Sequence, residues 1–146
     1  MKAMKRLHQG SRRSERKLEK LCEVFRKLAE KSEDTVVLVE GRKDRAALRR
    51  LGVGGTIVCM QPSGHVLVDF LDRLPDREVV LLVDFDEYGA SLARKITQYL
   101  EAKRVKVNGA FWRKIRGLVR RDVKDIEGLP SYLEKLKKSP TTTLRT

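Results

Sequence analysis

Leu18, Leu21, Cys22, Phe25, Leu28 and Ala29 recur at spacings of three and four, which predicts a helix over 14–33 with one apolar face. Lys17, Lys20, Arg26, Lys27 and Lys31 fill the rest of its circumference. Two readings fit: a solvated helix packed on the domain, or one that also offers lysines such as Lys17 and Lys20 to phosphates. The pattern then changes to short, unbroken apolar runs: TVVLV at 35–39, TIVCM at 56–60 and EVVLLV at 78–83. Helical stretches lie over 42–51, 65–74 and 88–100, and Val105 and Val107 mark a short fourth strand. Continuous apolar strands separated by helices predict an α/β protein of the doubly wound, Rossmann-like kind, with about four parallel strands and helices on both faces. Two further helices are expected over 111–121 and 130–138. In the first, Phe111, Trp112, Ile115, Leu118 and Val119 form an inward stripe, leaving Arg113, Lys114, Arg116, Arg120 and Arg121 on the outer surface. Residues 1–13 read as a flexible basic arm and 139–146 as a frayed end. One domain is expected, with 34–108 as its α/β body and the basic helical segments 14–33 and 109–146 packed on it.

Charge sharpens that division. The 146 residues carry 33 Lys and Arg against 20 Asp and Glu, for a net +13. Residues 1–31 contribute +7 and residues 101–146 contribute +8, while 32–100 carries −2. A near-neutral centre between basic flanks points to a polyanionic partner, of which nucleic acid is the commonest. No apolar run approaches the ~20 residues of a membrane span, and the basic N-terminus lacks the apolar core of a secretory signal. Cys22 and Cys59 sit within apolar patterns without metal-ligand spacing and read as reduced core residues. A cytoplasmic protein with no membrane partner is expected.

The acidic residues of the centre cluster where chemistry would need them. Glu40 ends the first apolar strand, and Asp84 and Asp86 follow the third, in Val83-Asp84-Phe85-Asp86-Glu87-Tyr88-Gly89. Residues two apart in extended chain point the same way. The carboxyl ends of parallel strands form one rim, where ligands bind. If strands one and three are neighbours, Glu40, Asp84 and Asp86 converge there, and their repulsion calls for a divalent cation. Few carboxylates completed by water or phosphate suit Mg²⁺ or Mn²⁺. Each acid also has a plainer role, since carboxylates serve as loop residues and helix caps. Asp44, one helical turn from Glu40, fits either a further metal ligand or a favourable charge at a helix N-terminus. Asp69, Asp72 and Asp76 read as solvated surface charges. Residues 122–128 could supply another acid but read as a solvated turn before a Pro130-started helix.

Two of these motifs carry a family resemblance. Val39-Glu40-Gly41-Arg42-Lys43-Asp44 resembles the glutamate motif of Toprim domains, and Asp84-Phe85-Asp86-Glu87-Tyr88-Gly89 resembles their D-x-D-x-x-G motif. Topoisomerases, bacterial-type primases, OLD-family nucleases, recombination mediators and the ribonuclease that matures the smallest bacterial ribosomal RNA share this domain. The likeness covers about residues 35–108, and the small size resembles stand-alone Toprim proteins of archaea and some bacteria. It implies a Toprim fold in which Glu40 acts as general acid/base while Asp84 and Asp86 hold Mg²⁺. The implied activity is metal-dependent nucleic-acid cleavage, with structured RNA preferred, DNA as an alternative, and the ribosome or ribosomal RNA among the partners. The alternative role is a non-catalytic nucleic-acid- or ribosome-binding Toprim factor. Pro62-Ser63-Gly64-His65 is similar to a segment after the second strand in topoisomerase Toprim domains, where His65 would contact phosphate or simply begin a helix. Arg42 and Lys43, beside Glu40, complete the residues expected to touch nucleic acid. The tyrosine-bearing gate of topoisomerases, the zinc-binding part of primases and the Gly-rich ATPase loop of OLD nucleases have no counterpart here.

Overall fold

In the computed structural model, residues 2–60, 71–72 and 78–138 are described. Four strands, β1 (Val36–Val39), β2 (Ile57–Cys59), β3 (Glu78–Leu82) and β4 (Lys106–Asn108), form one parallel sheet in the order β2-β1-β3-β4. Around it lie α1 (Lys2–Ser32), α2 (Arg42–Arg50), α3 (Glu87–Ala102), α4 (Ala110–Val119) and α5 (Leu129–Lys137). The expected α/β architecture is present, with the four strands and the helices α2 to α5 close to their sequence-read positions. The helix expected over 65–74, together with Ser63, His65, Asp69, Asp76 and the segment 139–146, lies outside the described residues apart from Leu71 and Asp72.

Strand alternation divides the core into two layers. Val37, Val39, Val80 and Leu82 face α1, α2, α4 and α5, meeting Leu21, Leu28, Leu48, Ile115 and Leu133. Leu38, Val79, Leu81 and Val83 face the other way, onto Ile96 and Leu100 of α3 and onto Leu71. Each fully buried Leu or Ile contributes roughly 1.5–3 kcal/mol. The sheet is apolar on both sides because both sides are covered.

Two expectations are corrected. The helix begins at Lys2, so the segment read as a flexible basic arm continues α1 instead of preceding it. Residues 2–13 contain no proline and only Gly10, and Lys, Arg, Met, Leu and Gln let a helix nucleated further along propagate backward. Cys22 is exposed, and Val24 takes the core position instead. Both residues neighbour the 3.6-residue stripe, and packing on α4 and α5 selects the face carrying Leu21, Val24, Phe25 and Leu28.

The register of the inner strands sets up the rim. Val39 pairs with Leu82, so Glu40 falls level with Val83 and one residue short of Asp84. The outer strands are only three residues long, and β4 ends at Asn108, opposite Val80. Beyond that point β3 continues without a partner strand on that side among the described residues.

Candidate functional site

Glu40 and Asp84 meet at the carboxyl end of the sheet. Glu40 Oε2 accepts a 2.9 Å hydrogen bond from the Asp84 backbone N–H. This contact follows from the adjacency of β1 and β3 and ties the two motifs together through one carboxylate. Around it lies an open cleft of about 440 Å³, lined by Glu40, Gly41, Asp44, Asp84 and Glu127, with Arg42 and Lys43 also on its wall.

Each acid is held by a different local device. Asp44 occupies the first turn of α2, and its Oδ2 accepts from the Gly41 N–H at 3.0 Å. Burial pushes its carboxyl up, the Gly41 bond pulls it down, and the charges of Glu40, Asp125 and Glu127 raise it further. Asp84 is half-buried. Its Oδ1 is inaccessible and has no hydrogen-bond partner among the described residues. Its pKa rises to about 7, first through burial and then through the charges of Glu40 and Asp44, against a lowering by the Ile126 backbone amide. A buried carboxylate oxygen without a donor is costly unless a proton or cation reaches it.

Asp86 behaves differently. It is exposed, lies outside the cleft lining, and caps α3 by accepting from the Gly89 N–H at 2.8 Å. The capping alternative therefore applies to one oxygen of Asp86 and to Asp44. Among the described residues, no three His, Cys, Asp or Glu side chains are gathered closely enough to form a metal cage. Of the expected acids, Glu40, Asp44 and Asp84 line this cleft together with Glu127, while Asp86 lies on the Asp84 loop with one oxygen engaged in capping α3.

The loop that carries Asp84 is clamped from below. Trp112 Nε1 donates to the Val83 and Asp84 carbonyls at 3.0 and 3.2 Å. Arg116 Nε donates to the Phe85 carbonyl at 3.2 Å, with its guanidinium 5.1 Å from the Trp112 ring centroid. Gly89 is required because a Cβ there would lie 2.0 Å from the Asp84 carbonyl oxygen. The glycine of the D-x-D-x-x-G motif thus lets the first turn of α3 pack directly on the aspartate's own backbone.

Glu127 enters from a segment whose sequence reads as a solvated turn. Val123 and Ile126 are buried anchors, and the Phe85 N–H donates to the Lys124 carbonyl at 2.7 Å, docking the segment beside β3. The available signal was three acids, Asp122, Asp125 and Glu127, within a strongly basic tail. Asp72 is exposed as expected and bonds Tyr99 and Lys103.

The basic residues separate into exposed and engaged groups. Lys20, Arg42, Lys43, Arg113, Lys114, Arg120 and Arg121 are exposed. Arg116 is only half-exposed and braces the Asp84 loop, a correction to its outer-surface placement. Lys17 lies 3.6 Å from Asp122 and 6.0 Å from the Tyr132 ring centroid, so its charge is partly used between α1 and the C-terminal segment. None of the helices among the described residues is long and apolar enough to cross a membrane.

No protein-family model matches the chain. It is 36% identical over 118 residues to a UPF0292 protein of Methanocaldococcus jannaschii, covering 80% of this chain and 92% of that one. It is 31% identical over 125 residues to a UPF0292 protein of Methanosarcina acetivorans, with 84% and 85% covered. A third relative, from Thermococcus sibiricus, is 34% identical over 116 residues, with 78% and 86% covered. Among solved structures, a protein from Aquifex aeolicus shares the fold with a TM-score of 0.57 at 24% identity, over 72% of this chain and 94% of that one. At these identities and coverages, the chain belongs to the UPF0292 family.

Proposed function

We propose that this chain is a Toprim-type enzyme that cleaves nucleic-acid phosphodiester bonds with Mg²⁺ or Mn²⁺, acting on structured RNA in preference to DNA. The observation that carries the reading is the meeting of Glu40 and Asp84 at the rim, beside the buried and unpartnered Asp84 Oδ1. Asp84 would hold the cation, with Asp44 and Glu127 on the same cleft wall and Asp86 on the same loop. The lack of a three-acid cage is compatible with this cation, because Mg²⁺ commonly binds through one or two carboxylates and completes its shell with water and substrate phosphate. Bound there, the ion supplies neutralisation of charge developing on the phosphoryl oxygens.

The chain's own groups do the remaining work. Glu40, fixed through one oxygen by the Asp84 N–H, is positioned to relay a proton. Arg42 and Lys43 favour approach of a phosphate backbone to an otherwise acidic cleft. Exposed Arg113, Lys114, Arg120 and Arg121 extend the basic surface along and after α4. The RNA preference, and the ribosome or ribosomal RNA as partner, come from the resemblance to the ribosomal-RNA maturase.

A second reading is favoured by the capping role of Asp86: a Toprim factor that binds nucleic acid without cleaving it. One assay separates the two. Labelled structured RNAs, single-stranded DNA and duplex DNA are incubated with the protein and Mg²⁺ or Mn²⁺. Cleavage that requires the metal and disappears in Glu40→Gln and Asp84→Asn, with binding retained, supports the enzyme. Intact substrates throughout, with both variants binding like the wild type, favour the binding factor.

A further inference from the structure

On the other side of the clamped Asp84 loop, α3 and α4 bound a second open groove, of about 410 Å³, within the size range of small-ligand sites. Leu81, Ala90, Ala93 and Trp112 provide apolar lining, and Arg94, Arg113 and Arg116 line it with positive charge. Among the described residues, no carboxylate lines it and none of the three guanidinium groups is paired with an acid. Three like charges in one concavity focus a positive potential that an anion relieves.

The space has identifiable causes. β4 stops opposite Val80, so among the described residues β3 has no neighbouring strand on that side from Leu81 onward. The α3 wall is built from Ala90 and Ala93, and at Gly109 a Cβ would lie 2.9 Å from Arg113 Nη1. Small residues thus keep the groove open and let the Arg113 side chain lie close to the backbone. Arg116 is held by the Phe85 carbonyl and the Trp112 ring, so one of the guanidinium groups is preorganised. Guanidinium groups match phosphate oxygens by paired hydrogen bonds, which suits this cluster to a phosphoryl group. Trp112 lines the groove while its indole N–H fixes the Asp84 loop, so groove and acidic cleft flank one structural element.

We propose that the α3–α4 groove is a phosphoryl-binding subsite, holding a phosphate of the nucleic-acid strand adjacent to the one presented to the carboxylate cleft. The ligand identity rests on the nucleic-acid reading above. The phosphoryl group belongs either to a strand terminus or to an internal phosphodiester, and the experiment distinguishes them. Binding of 3′-labelled single-stranded RNA oligonucleotides, with and without a 5′-phosphate, is measured by fluorescence anisotropy at fixed salt without divalent metal. A nucleoside 5′-monophosphate serves as competitor.

The double variant Arg94→Gln/Arg113→Gln, which leaves the Arg116 brace intact, should lose about tenfold or more in affinity. Arg12→Gln/Arg13→Gln, which removes equal charge from α1, should lose markedly less. A loss confined to the 5′-phosphorylated oligonucleotide, with competition by the monophosphate, assigns a terminal phosphate. An equal loss for both oligonucleotides assigns an internal one. The proposal is overturned if the groove variant binds both like the wild type, or if the α1 variant loses as much. Absence of cleavage with this binding pattern intact would refute the nuclease reading alone; metal-dependent cleavage with unchanged affinity in the groove variant would refute the subsite alone.

Discussion

At Asp84, stability and site chemistry pull in opposite directions. An acid whose folded pKa of about 7 exceeds its ordinary 3.8 binds its proton more tightly when folded. Its contribution to stability is therefore complete below about pH 4 and is lost as pH rises through 7. Asp84→Asn removes the charge while nearly preserving shape. It should stabilise the protein by ~2 kcal/mol at pH 8, allowing for solvent screening, and by much less at pH 5. Urea unfolding at the two pH values checks this, and an equal effect at both would contradict the assigned cause. Gly89 makes the complementary case. Gly89→Ala forces a methyl group against the Asp84 carbonyl and should cost about 3 kcal/mol or more, measured by the same unfolding. Glu40, Asp84 and Gly89 were legible in the sequence because their motifs follow apolar strands. Glu127 was not, since its place depends on Val123 and Ile126 docking a segment more than thirty residues beyond β3, which no local spacing records.

At the level of elements, the strands and the helices of the body were legible because both their apolar content and their punctuation are local. The start of α1 was less so: apolar periodicity locates the packed part of a helix but not how far it propagates beyond that packing. The end of α3 carries a detail that composition hides. The Val105 N–H donates to the Leu100 carbonyl and the Arg104 N–H to the Glu101 carbonyl, both at 3.0 Å, forming a Schellman closure. Its left-handed position, usually glycine, is Arg104, with φ of 67°. Arg104→Gly should raise stability by about 1 kcal/mol, read as an increase in the denaturation midpoint. A decrease would mean that the arginine side chain contributes more than its backbone conformation costs.

Across the whole molecule, the +13 charge resolves into an acidic cleft within a basic surface. Charge reversal at Arg113, Lys114, Arg120 and Arg121, sparing the structural Arg116, should weaken nucleic-acid binding and make it less sensitive to salt, by about one unit of slope for each phosphate no longer neutralised. Binding across a salt series measures this, and an unchanged slope would show that these side chains meet only solvent. The two three-residue outer strands have a separate consequence, for solubility. The Val- and Leu-rich inner strands are the kind of segment that templates intermolecular cross-β assembly. Both lie inside the sheet, and each outer strand offers a neighbouring molecule too short a ladder to extend, with exposed Lys106 at the start of β4. The brevity that leaves a groove open beside β3 also withholds the sheet edge from other copies of the chain.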